Sequence, residues 1–153
     1  MLLVDANVWL ELLLEQERAE QVRDLLRTVP LAELAITDFA LHSVGIILAR
    51  NKEDGLFVRF ISDLLLDTDV RYLSLDYADL MTVAETRDRL HLDFDDAYQY
   101  VAAEKYDLTL VSLDADFDRT ERGRKTPAEI LGEPPVARDR PPRKPARRRN
   151  RKP

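Results

Sequence analysis

Short apolar runs in this chain are always separated by stretches with helical spacing, and that order leaves few folds open. Leu2-Leu3-Val4, Leu34-Ala35-Ile36, Val70–Leu75 and Leu108–Ser112 are the strand candidates. No Asn-Gly or Asp-Gly turn joins one of them directly to the next, which argues against hairpins. Strands that alternate with helices pair side by side in a parallel sheet, with the helices as crossovers. The expected fold is therefore α/β, a three-layer-like sandwich. Its mostly parallel central sheet holds about four or five short strands flanked by helices.

Between the strands, the spacing predicts helices over Val8–Glu15, Glu17–Thr28, a stretch ending near Arg50, Leu56–Asp67, Tyr77–Leu90 and Ala97–Tyr106. Pro30 stops the second. Asp5 or Asn7 caps the first, Thr37 or Asp38 the third, Asp76 the fifth, and Asp93 or Asp95 the sixth. Gly45, inside an otherwise apolar helix, marks close packing. Thr126–Leu131 suits a short edge strand or a turn of helix.

The charge is split along the chain. From Arg138 onward there are nine Lys/Arg against the single acid Asp139, which leaves residues 1–137 with 14 basic and 28 acidic side chains. The organisation expected is one acidic domain over residues 1–132 and a disordered basic Pro/Arg-rich tail over 133–153. Such a tail attracts RNA or another polyanion, or folds back on the acidic domain. No cysteine is present, so disulfides and thiolate chemistry are excluded, and with only His42 and His91 the histidines argue against a zinc site built on them. The opening Met1-Leu2-Leu3-Val4-Asp5 lacks a basic n-region and no apolar run is long enough to cross a bilayer. A cytoplasmic setting with no membrane partner is the expectation.

The acids carry the chemistry. Asp5 directly follows the first strand, Asp93, Asp95 and Asp96 precede a helix, and Asp114, Asp116 and Asp118 follow the last strand. In open parallel sheets, sites form beyond the carboxyl ends of the strands, where these acids sit. Carboxylates gathered there repel unless a cation lies between them. An oxygen-only donor set suits Mg²⁺ or Mn²⁺, and such an ion promotes attack on a phosphodiester. Any one Asp at a helix start is equally a cap. The ordered combination points to a site. Asp5-Ala6-Asn7 lacks the second acid of an Asp-x-Asp phosphotransfer pair.

Over residues 1 to about 131 the chain resembles the PIN-domain family, particularly its VapC-like toxins. The resemblance rests on Met1-Leu2-Leu3-Val4-Asp5-Ala6-Asn7-Val8, on Asp96-Ala97 at a helix start, and on Val111-Ser112-Leu113-Asp114-Ala115-Asp116-Phe117. It implies a Mg²⁺- or Mn²⁺-dependent endoribonuclease, the toxin of a type II toxin–antitoxin system. An RNA substrate, a cognate antitoxin and a homodimer are implied with it. Asp5, Asp96 and Asp114 would be catalytic and hold the metal with Asp116, while Asn7 and Ser43 would support them. One position departs from the family pattern: Ser43 stands where a Glu is usual. The alternative reading is a catalytically weak or inactive PIN-like module that binds RNA or protein and carries a basic tail.

Overall fold

The computed structural model describes residues 1–133. The basic tail expected over 133–153 therefore lies, but for its first residue, outside the described residues. Four strands, β1 (Leu2–Val4), β2 (Leu34–Thr37), β3 (Arg71–Leu73) and β4 (Thr109–Val111), form one sheet in the order β3-β2-β1-β4. Every pairing is parallel, with Leu3 opposite both Ala35 and Leu110. A single further bridge, Val111 to Lys125, extends the outer edge of β4. The parallel α/β expectation holds.

Among the described residues seven α-helices flank the sheet: α1 (Ala6–Leu13), α2 (Ala19–Thr28), α3 (Asp38–Arg50), α4 (Asp54–Ile61), α5 (Tyr77–Leu90), α6 (Phe94–Lys105) and α7 (Pro127–Ile130). Successive strand residues face opposite sides, so a three-residue strand feeds two cores. Val4, Leu34, Ile36 and Val111 pack with Val8, Trp9, Leu25, Val44 and Phe60 of α1–α4. Leu3, Ala35, Leu73 and Leu110 pack on the other side with Val83, Ala97, Tyr100 and Val101 of α5 and α6. Burial on both faces explains why the strands read as unbroken apolar runs rather than alternating ones.

Several local expectations shift. Helix α1 begins at Ala6, two residues earlier than its apolar spacing suggests, because Asp5 caps it. Helix α6 begins at Phe94, with Asp93 at its N-cap. The stretch expected to be helical from Leu56 to Asp67 is α over Asp54–Ile61 and then widens into a π-helical turn, Ser62–Leu66. Thr126–Leu131 resolves as a turn of helix: Thr126 and Glu129 close a capping box before α7. Gly45 is indeed a contact point. A Cβ there would lie 2.8 Å from Cζ of Phe57, so α3 and α4 meet ring against backbone.

Candidate metal centre

The carboxyl edge of β1 and β4 collects the acids. Asp5 and Ser112 are the residues just past those strands, and their side chains meet: Ser112 Oγ donates to Asp5 Oδ2 at 2.8 Å. Asn7 Nδ2 donates to the same oxygen at 2.8 Å, and the backbone N–H of Ala6 donates to Asp5 Oδ1 at 2.7 Å. Ser112 Oγ also accepts from Asp114 N at 3.0 Å, and Asn7 Oδ1 accepts from Leu113 N at 3.1 Å. Asn7 and Ser112 thus tie the loop after β4 to the loop after β1. Asp114 then turns its own chain, accepting from Asp116 N at 2.8 Å.

Asp96 arrives from the other layer. Helix α6 ends at Lys105 and leads directly into β4 at Thr109, so its last turn lies by the amino edge of the sheet and its first turn, with Asp95 and Asp96, by the carboxyl edge. Tyr98 Oη donating to Asp38, just past β2, at 2.6 Å agrees with that placement at the carboxyl edge. A cleft of about 380 Å³ opens there, lined by Asp5, Asn7, Ser43, Asp95, Asp96, Gln99 and Asp114, with Leu10, Phe39 and Ile47 among its apolar wall. Among the described residues no Lys or Arg lines it. Carboxylate oxygens of Asp96, Asp114 and Asp116 all fall within 4.8 Å of one another.

The electrostatics follow from that geometry. Asp5 is 7% and Asp96 8% exposed. Burial, followed by the charges of Asp114, Asp95, Asp5 and Asp116, pushes the Asp96 carboxyl up to about 8. Burial raises Asp5 to about 6 against the lowering effect of its hydrogen bonds from Ser112 and Ala6. Acids held together at this cost are poised for a cation that removes the repulsion. The all-oxygen donor set fits a hard divalent ion such as Mg²⁺ or Mn²⁺.

The residues singled out from the sequence mostly converge. Asp5, Asn7, Ser43, Asp96 and Asp114 share the cleft. Asp116 stands on its outer side, close to Asp96 and Asp114 but also 3.2 Å from Arg119. Asp5 is outside the tight trio, and three donors already engage its oxygens. Asp38, a conceivable substitute for the charge missing at Ser43, is not there: it accepts from Tyr98 Oη at 2.6 Å and from Phe39 N. Asp95 does line the cleft. Trp9 is core, packed 5.4 Å from Phe60. Gln99 and the Ser112 hydroxyl escaped the sequence reading. For Gln99 the available signal was an amide three positions after Asp96, inside the otherwise uncharged and largely apolar run from Ala97 to Ala103.

A parallel α/β sandwich with an acid-lined cleft beyond β1 and β4 defines the class of protein. The chain belongs to the PIN-domain family, whose model matches residues 2–123. Among curated proteins none matches. Its fold is similar to that of FitAcB from Neisseria gonorrhoeae, at 21% identity and a TM-score of 0.68 over 83% of this chain and 98% of that one. It is similar also to VapC20 of Mycobacterium tuberculosis, described as a sarcin–ricin loop cleaving toxin (19%, TM-score 0.67, 82% and 97%). A toxin–antitoxin complex from Klebsiella pneumoniae gives 17% identity and a TM-score of 0.66 over 83% and 98%. No helix among the described residues is long and apolar enough to cross a membrane.

Proposed function

We propose that this chain is a metal-dependent endoribonuclease and the toxin of a toxin–antitoxin pair. The observation that carries the reading is the cleft in which Asp5, Asp96 and Asp114 lie together with no cationic side chain lining it among the described residues. Asp96 and Asp114 would hold one Mg²⁺ or Mn²⁺, with Asp5 on the inner side and Asp116 on the outer. The ion, when bound, supplies Lewis acidity toward a phosphodiester. Asn7 and Ser112 fix the rotamer of Asp5 by donating to one of its oxygens. Asp96, its carboxyl pushed up to about 8, would have to release its proton to hold the ion, so binding would be coupled to proton release. The toxin–antitoxin complex and the sarcin–ricin loop cleaving toxin of similar fold support an antitoxin as partner and RNA as substrate; a second copy of the chain is proposed with them on the family resemblance alone.

Structured RNA incubated with the full-length chain should be cut with Mn²⁺ or Mg²⁺, spared with EDTA, and spared by Asp96→Asn and Asp5→Asn. Undiminished cutting by both variants refutes the proposal. Ser43 favours a second reading, a non-catalytic module, because this cleft residue brings a hydroxyl and no charge. That reading gains if the wild type binds RNA without cutting it and Asp5→Asn binds equally well. Ser43→Glu separates the two further: it should tighten Mn²⁺ and raise cleavage of an enzyme held back by missing charge.

A further inference from the structure

Gln99 is the polar side chain that the cleft leaves unfinished. It lies on α6 one turn after Asp96, three residues on, so the two share a helix face. It is 2% exposed and lines the same cleft as Ser43, Asp96 and Asp114. Its amide nitrogen donates to Thr37 Oγ1 at 2.9 Å. That hydroxyl is itself fixed, because it caps α3 by accepting from Ala40 N at 3.0 Å. The amide oxygen, by contrast, is buried and has no donor among the described residues. A buried acceptor left so costs about 1–3 kcal/mol, and nearly all such groups in folded proteins find a partner.

Resting on the metal-dependent reading above, we infer that Gln99 Oε1 is a neutral oxygen donor of the cation site, oriented by Thr37 and working beside Asp96 and Asp114. Amide carbonyls are ordinary partners of hard divalent ions and of the water they carry. A neutral donor is also the kind that this cleft can accept. Asp5, Asp95, Asp96 and Asp114 already repel one another there, and a further charge would add to the repulsion in the metal-free state. Ser43 and Gln99 together then supply oxygen without charge. In the opposite amide orientation the unpartnered group would be the NH₂, a donor that cannot ligate a cation, so the two orientations predict opposite effects of removing the amide.

The test is Mn²⁺ affinity of the full-length chain, read from the electron paramagnetic resonance signal of free Mn²⁺ and from calorimetry. Melting temperature in EDTA is measured alongside. Gln99→Met keeps the side chain's length and removes its oxygen. It should weaken Mn²⁺ about tenfold, as loss of a supporting oxygen does in other metal sites, and leave the metal-free melting temperature within a few degrees. Gln99→Glu keeps an oxygen and should bind at least as tightly as wild type. A Gln99→Met protein with wild-type or tighter affinity overturns the inference, as does a Gln99→Glu protein as weak as Gln99→Met. Wild-type affinity that falls in Asp96→Asn but not in Gln99→Met removes this inference alone. A wild type that binds no Mn²⁺ at millimolar concentration removes the metal reading with it.

Discussion

Raising the pH in the presence of a chelator should destabilise this protein, and the cleft sets the size of the effect. Asp96 is pushed up to about 8 and Asp5 to about 6, each from 3.8. Between about pH 4 and those values each keeps a proton when folded and has lost it when unfolded. The folded state therefore binds more protons, and linkage makes stability fall as pH rises through that window. Each such group contributes a slope of about 1.4 kcal/mol per pH unit while the difference lasts. From pH 6 to 8 Asp96 alone lowers stability by about 2–3 kcal/mol, a large share of the roughly 5–15 kcal/mol typical of a domain. Glu20 and Asp79 shift the other way through their Arg and Lys partners, but their contribution is complete above the ordinary carboxylate range. Urea unfolding at pH 5, 6, 7 and 8 in EDTA measures the slope. Asp96→Asn should flatten it between pH 6 and 8 and leave the protein more stable than wild type at pH 8. Added Mn²⁺ should reverse the trend, because it binds the deprotonated carboxylates. Wild-type stability that holds or climbs from pH 6 to 8 in EDTA refutes the reasoning.

Ser112→Ala removes the hydroxyl that donates to Asp5 and accepts from Asn7 and Asp114 N. Urea unfolding should show a loss of about 1–3 kcal/mol, and Mn²⁺ binding should need a higher pH because Asp5 loses a bond that lowers its pKa. Gly45→Ala drives a methyl to 2.8 Å from the Phe57 ring. The overpacking cost of about 1–3 kcal/mol should exceed the roughly 1 kcal/mol gained in helix propensity, and Phe57→Leu in the same chain should restore the melting temperature. Deleting residues 138–153 removes nine cations. RNA affinity should drop and lose much of its salt dependence in filter binding, while Mn²⁺ affinity should stay as it was.

The sheet was legible because both of its faces are covered. A run such as Leu2-Leu3-Val4 has no period to detect, yet with Leu3 in one core and Val4 in the other it needs none. Strand ends were less legible where pairing decides them. Val70–Leu75 has the composition of a six-residue strand, but β3 lies at the edge and pairs only with β2, over Arg71–Leu73. The π-helical turn at Ser62–Leu66 left no trace in the pattern, since Phe60, Ile61, Leu64 and Leu65 keep ordinary helical spacing. Asp5, Asp96 and Asp114 could be found because strand-then-acid and acid-then-helix are local patterns. Ser112 had no such pattern, and Gln99 only that of a lone amide in an apolar run. Their significance depends on partners up to 107 residues away, Asp5 for one and Thr37 for the other.

The basic residues after β4 show the same division between composition and contact. Arg119, Arg122, Arg124 and Lys125 follow the acidic loop and read equally as phosphate ligands or as a solvated loop. In the fold the three arginines are engaged, and Lys125 is exposed. Arg119 joins Asp116 to the carbonyl of His91, and Arg122 bonds Asp107 and the carbonyl of Leu108. Arg124 grips both carboxylate oxygens of Asp118 and donates to the carbonyl of Ser112 at 2.9 Å. The guanidinium of Arg124 thus braces the residue whose hydroxyl holds Asp5 and Asp114. Arg119 and Arg124 are therefore occupied beside the acidic loop, and Arg122 is held at the other end of β4. An RNA phosphate approaching four carboxylates meets net repulsion until a divalent ion is in place. Attraction at longer range then falls to the nine cations from Arg138 onward, which is why removing the tail should change RNA affinity and leave the metal site alone.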